Sequence, residues 1–246
     1  MKYLISESKK NRRRKFWIYV LLLFSVAILW SLFSTQIQFG KNPDSTGSFI
    51  LFNMITANNL IIPFLIALMS SRLVSAEKDN NMIKSLMLSN ESQWQLFFSK
   101  WLVIIITIII AAIVELVLCV SMSLIMNHRF NIIELIYFLL DIVIASSVIT
   151  SIHLLLSFKM KNQSIPISIG LAGSFISLVT SGFLPKWITL FIPWQYISFL
   201  NPYKLLKGKI TVIDNWPLLM LTICLISSAL IVFIRRQMNN SWEILS

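Results

Sequence analysis

Glu115 and Asp141 each stand inside a long apolar run of the sequence, where few carboxylates are tolerated. A charge at the centre of a bilayer costs at least about 2.5–3.5 kcal/mol on insertion scales, so such groups face protein or water. At about 1.5 Å per residue from the outer ends of their runs, both acids lie roughly 12–18 Å deep on antiparallel neighbours. They either line a path for a cationic peptide or are protonated acids hydrogen-bonded to an adjoining helix or subunit. His153 shares a run with Asp141 and reads as a packed histidine, because His128 is its only companion in the sequence. Cys119 and Cys224 also fall in apolar runs, and no CxxC or Cys/His cluster accompanies them, so neither a metal site nor a disulfide is expected. No His/Glu or Ser/His constellation supports a membrane-embedded enzyme. No GxxxxGK[ST] occurs, so the chain lacks the Walker A loop that cradles nucleotide phosphates.

A second informative stretch is 76–90, AEKDNNMIKSLMLSN. Met82, Ile83, Leu86 and Met87 recur at helical spacing, with Glu77 and Asp79 near the positive end of that helix and Lys84 further on. This spacing predicts a short amphipathic helix, the alternative being a solvated linker. Asn90-Glu91-Ser92-Gln93 reads as a capping box opening the next helix. Trp94, Phe97, Phe98, Lys100 and Trp101 then suit a membrane interface.

The elements that must position these residues are set by composition. Of 246 residues 57% are hydrophobic and 13% charged, against roughly 45–50% and about 25% in soluble domains, and the mean hydropathy is +0.78. Six spans are expected, at about 16–34, 49–70, 101–126, 132–158, 165–184 and 216–234, within one transmembrane domain over 1–246. The connecting segments are too short for a soluble catalytic domain, so any such domain must be another chain. The first run follows a basic tail but lacks a small-residue cleavage site and reads as a retained anchor. Lys2, Lys9, Lys10, Arg12, Arg13, Arg14 and Lys15 put the N-terminus in the cytoplasm, and an even number of spans returns the C-terminus there. The net charge of +11 sits at helix ends, which favours anionic lipid over nucleic acid as a partner.

Residues 187–200 are the ambiguous segment. A seventh span there would bring Lys204, Lys207 and Lys209 inside and make the charge count slightly more asymmetric. Its length argues otherwise, about 21 Å as helix against a core of about 30 Å, and Pro193 interrupts it. A re-entrant or interfacial external hairpin between spans 5 and 6 fits better, with Trp187, Trp194, Tyr196 and Tyr203 as boundary aromatics. In span 5 the pairs Gly170/Ser174 and Gly173/Ser177 allow close helix approach, inside one subunit or between two.

An acidic residue after span 2, a short helix ending in Leu-Met-Leu-Ser, and a capped helix with Lys100 leading into span 3 together resemble permeases of the ABC-2 type. In that family the loop packs on the nucleotide-binding subunit, so the resemblance implies a contact role for Glu77, Lys84, Leu86 and Leu88. It also implies an all-α membrane fold of six spans with a cytoplasmic coupling helix and the hairpin already inferred. Pro193, Trp194 and Tyr196, with the length and the Ile- and Asn-rich composition, are similar to permeases that protect Gram-positive bacteria from lantibiotics. The implied assembly is a bacterial plasma-membrane exporter: this chain, a second homologous or identical permease, and a separate ATPase that binds ATP and Mg. The chain itself is then non-catalytic and binds no cofactor. An ABC exporter of another lipid or drug, or a proton-coupled carrier using Glu115 and Asp141, are the rivals, though no internal repeat of the kind many carriers show is visible.

Overall fold

The computed structural model describes residues 16–41, 48–78, 92–125, 131–206, 209–213 and 215–240. Its elements are α1 (Phe16–Lys41), α2 (Ser48–Lys78), α3 (Gln93–Ile125), α4 (Ile132–Lys159), α5 (Ser164–Thr180), α6 (Lys186–Thr189), a 3₁₀ turn (Pro193–Gln195), α7 (Tyr196–Leu200), β1 (Tyr203–Leu206), β2 (Lys209–Val212) and α8 (Trp216–Asn240).

Helix α2 is the axis of the bundle and packs against α1, α4 and α5. Its burial runs nearly its whole length, including Leu51, Ile55, Ile62, Leu65, Ile66 and Met69. Helix α1 does the opposite, presenting Leu21, Leu22, Leu29 and Phe33 outward. In lipid such a face needs no partner, because acyl chains are as apolar as leucine.

Small residues fix the seat of α5. A Cβ on Gly170 would lie 2.1 Å from the Cβ of Ala67 in α2, and one on Gly173 would lie 2.5 Å from the Trp194 ring. Ser174 and Ser177, the partners of these glycines in the small-residue pattern, are fully buried. The pattern therefore serves packing within the chain.

Among the described residues five helices, α1, α2, α3, α4 and α8, are long and apolar enough to cross a membrane by length and composition. The expected span at 165–184 is shorter than anticipated: α5 has 17 residues, about 25 Å against a hydrocarbon core of about 30 Å. Chain above it is supplied by α6, the 3₁₀ turn and α7; the turn packs back on α5, α4 and α2, α7 on α4 and α2, and α6 on α7. Three helices outrun their expected spans, α1 reaching Lys41, α2 Lys78 and α8 Asn240, while α3 starts at Gln93, before its expected span at 101, as the capping box implied. The helix start also moves: Ser92 Oγ accepts from the Gln95 N–H at 3.2 Å, so Ser92 caps α3, two residues after the expected Asn90. A two-stranded antiparallel ribbon, with Tyr203 opposite Val212 and Leu205 opposite Ile210, departs from the all-helical expectation. Aromatic Tyr203 on β1 and β-branched Ile210, Thr211 and Val212 on β2 suit strand pairing.

Candidate functional site

At one end of the bundle, charged groups tie the helices together. Lys100 Nζ lies 2.7 Å from Glu77 Oε1, with both residues buried. This pair joins the end of α2 to the start of α3, the two roots of the 79–91 connection. The next residue, Lys78, donates from Nζ to the carbonyls of Ser157, Phe158 and Met160 at 2.8–3.0 Å. It thereby caps α4, whose last carbonyls lack helical partners and whose C-terminal dipole favours a cation. Gln163 Nε2 shares two of these acceptors, Ser157 and Met160, and Ser71 Oγ donates to the Gln163 carbonyl at 2.8 Å. At the same end Arg72 lies 4.6 Å over the Tyr19 ring and Arg235 lies 6.0 Å from the Trp94 ring. Glu77, expected as a contact residue, is thus inside the protein and ion-paired. Lys84, Leu86 and Leu88 lie outside the described residues.

The bundle interior holds a polar seam. Asn58 Nδ2 donates to Glu115 Oε2 at 2.7 Å, binding α2 to α3. Asp141 on α4 is fully buried, and neither of its oxygens has a hydrogen-bond partner among the described residues. The two acids expected to act as a pair are therefore in different settings. His153 accepts at Nε2 from the Trp194 indole N–H at 3.0 Å, and its ring meets Trp194 edge-on at 6.0 Å between centroids. The packed-histidine expectation agrees with this arrangement. The Ser177 hydroxyl lies 2.8 Å from both Asn59 Oδ1 and the Trp194 carbonyl oxygen. One serine of α5 so connects α2 to the turn that carries Pro193, Trp194 and Tyr196.

The opposite end is organised by Glu134 in the first turn of α4. Its Oε2 accepts from Ser48 Oγ at 3.0 Å and from the Tyr203 hydroxyl at 3.4 Å. Burial, with the nearby Glu134 charge adding to it, raises the Tyr203 pKa and keeps the phenol protonated. Trp216 Nε1 donates to the Leu200 carbonyl at 2.6 Å, and the Trp216 ring stacks on Tyr137 at 4.0 Å. Tyr196 donates to the Leu190 carbonyl at 2.7 Å, which holds α7 against the chain end of α6. Pro193 opens the 3₁₀ turn, where its missing N–H costs no hydrogen bond.

Sequence reasoning missed Asn58, Asn59, Lys78, Glu134 and Gln195. The signal for the first two was present, since adjacent asparagines inside an apolar run must each find a buried partner. Lys78 and Glu134 gave no such signal, because a charge at a helix end is ordinarily solvated.

Residues 3–177 match the family model described as ABC-2 family transporter protein. That interval includes both roots of the 79–91 connection, the polar seam on α2, α3 and α4, and most of α5, and it ends before the hairpin. No curated protein matches the chain.

Proposed function

The chain belongs to the ABC-2 family of transporter proteins and is a multi-pass membrane permease subunit of an ABC transporter, and on that premise we propose that it expels an antimicrobial peptide with ATP hydrolysed by a separate subunit. The observation that carries the coupling half of this reading is the buried Glu77–Lys100 pair. A loop whose two roots are clamped to each other, and through Lys78 to α4, hands on a push as a movement of three helices together. A loop on free roots would absorb it. Leu86 and Leu88 are the docking side chains in this scheme, while Glu77 positions the loop from beneath. ATP and Mg are held by the partner, and a second permease completes the path.

The peptide half rests on the resemblance of the hairpin and composition to lantibiotic-protection permeases, and on Asp141 as a buried acid that no hydrogen bond within the chain engages. Asp141 meets cationic substrate when the helices part. Glu115, held by Asn58, serves the closed bundle. A cytoplasmic location for both termini is supported by the Tyr19–Arg72 and Trp94–Arg235 contacts. These bring the beginning of α1 and the end of α8 to the same end of the bundle as the 79–91 roots.

The test is co-purification of the cognate ATPase with the permease carrying Leu86→Asp and Leu88→Asp. Charges in a buried interface core carry a desolvation cost, so the variant should insert normally and lose the ATPase. Retention of the ATPase at the wild-type level would remove this loop from the coupling scheme.

A further inference from the structure

Between α2, the end of α5 and the hairpin lies a cavity of about 660 Å³, within the roughly 300–1,000 Å³ range of small-ligand pockets. Phe52, Ile55, Leu178, Leu184 and Phe199 give it apolar walls. Asn59 and Gln195 also line it, each 1% exposed, and they are held alike. Asn59 Oδ1 is bonded to Ser177, and Gln195 Nε2 is bonded to Thr180, one turn further along α5. The other half of each amide, Asn59 Nδ2 and Gln195 Oε1, has no hydrogen-bond partner among the described residues. One side chain therefore retains a donor and the other an acceptor. Ser177 links the helix of Asn59 to the turn of Gln195, since its hydroxyl lies within hydrogen-bond distance of Asn59 Oδ1 and of the carbonyl oxygen of Trp194, the residue before Gln195.

We infer that this cavity binds an uncharged apolar segment of a peptide, its walls taking the side chains and Asn59 and Gln195 pairing with its backbone. Each residue of a peptide backbone supplies one carbonyl acceptor and one N–H donor, the complement of what the two amides retain. Burying two half-satisfied amides without such a ligand leaves their desolvation uncompensated. Charge points the same way. Among the described lining residues Lys204 is the only charged one, and no carboxylate joins it, so positive side chains find no partner here. Recognition in this cavity is by backbone and apolar surface. Cationic groups of the same substrate are left to Asp141. The inference deepens the peptide-export reading and rests on it for the choice of a peptide over other amphiphiles.

The experiment uses the full permease–ATPase complex in nanodiscs of neutral phosphatidylcholine, with a dansylated, end-blocked peptide of Leu, Ala and Ser as the fluorescent probe. Ser198→Phe and Thr56→Phe each fill the cavity from a different element, so misfolding of one leaves the other informative. Binding should weaken at least tenfold in a correctly assembled filler variant and change less than twofold with Lys204→Gln. Unchanged binding in both fillers overturns the inference. Displacement of the probe by phosphatidylglycerol, together with loss of binding in Lys204→Gln, would also overturn it by identifying an anionic lipid as the occupant. Failure of the two readings is separable. Probe binding that the fillers abolish, in a complex that moves no antimicrobial peptide with ATP, contradicts the export reading alone. ATP-driven export with probe binding indifferent to the fillers contradicts the cavity alone.

Discussion

The indole N–H of Trp194 donates to Nε2 of His153 at 3.0 Å, so the turn between α5 and α8 is fastened to the interior of α4. His153 is six residues before the end of α4, about 9 Å along the helix, and the contact therefore lies well inside the bundle. Gly173 makes it possible, because any Cβ there would strike the indole. Trp194→Phe keeps the aromatic packing and removes the donor. The variant should lose about 1–3 kcal/mol of stability from an unpaired buried imidazole nitrogen, read as a lower unfolding midpoint in detergent. Gly173→Ala should be worse, since it displaces the whole turn. Equal stability of wild type and Trp194→Phe would show that the bond contributes nothing.

The Glu77–Lys100 pair gives a prediction in which the double variant is milder than the single. Lys100→Met leaves the Glu77 carboxylate buried without its cation, at a cost of about 3–5 kcal/mol. Adding Glu77→Gln removes the stranded charge and should restore most of the loss. Thermal unfolding of the two singles and the double, analysed as a double-mutant cycle, measures the coupling. Additive losses would contradict a buried ion pair.

Asp141 and Glu115 should separate in transport assays. Glu115→Gln retains an acceptor for Asn58 Nδ2 and should support near-normal export. Asp141→Asn removes an acid that no hydrogen bond among the described residues engages and should lower export of a cationic peptide at least tenfold, about 1.4 kcal/mol, at unchanged protein level. The reverse pattern would assign the substrate role to Glu115.

A single cysteine at Ser246, in a background of Cys119→Ser and Cys224→Ser, reports the side of the C-terminus. Labelling by an impermeant maleimide is expected only after cells are permeabilised. Labelling of intact cells would require an odd number of crossings, either seven with a span over 187–200 or five without α5.

How much of this was legible beforehand depends on the range of the forces involved. Span existence follows from hydropathy alone, and α1, α2, α3, α4 and α8 were readable as apolar runs. Helix ends were less so. Lys78 and Glu77 extend α2 because they find α4 carbonyls and Lys100, partners more than twenty residues away that no local window contains. The short α5 has the same origin: where it stops depends on the Ser181–Ser198 hydroxyl contact at 2.6 Å and on the Trp194 packing beyond it. That Glu115 and Asp141 are buried was legible from residue type and hydropathy. Their division into a bonded Glu115 and an unbonded Asp141 turns on Asn58, whose orientation is a tertiary fact. The β1–β2 ribbon was missed because its Lys-rich arms read as a charged loop, although Tyr203, Leu205, Ile210 and Val212 carry strand propensity.

The most direct test of the account is uptake of a fluorescent lantibiotic into inside-out vesicles containing this permease, its cognate ATPase and, where the assembly has one, its second permease. Uptake should require ATP and the ATPase, survive collapse of the proton gradient by a protonophore, and fall to background in the Leu86→Asp, Leu88→Asp variant. Uptake that proceeds without the ATPase and is abolished by the protonophore would contradict an ATP-driven permease and establish a proton-coupled carrier.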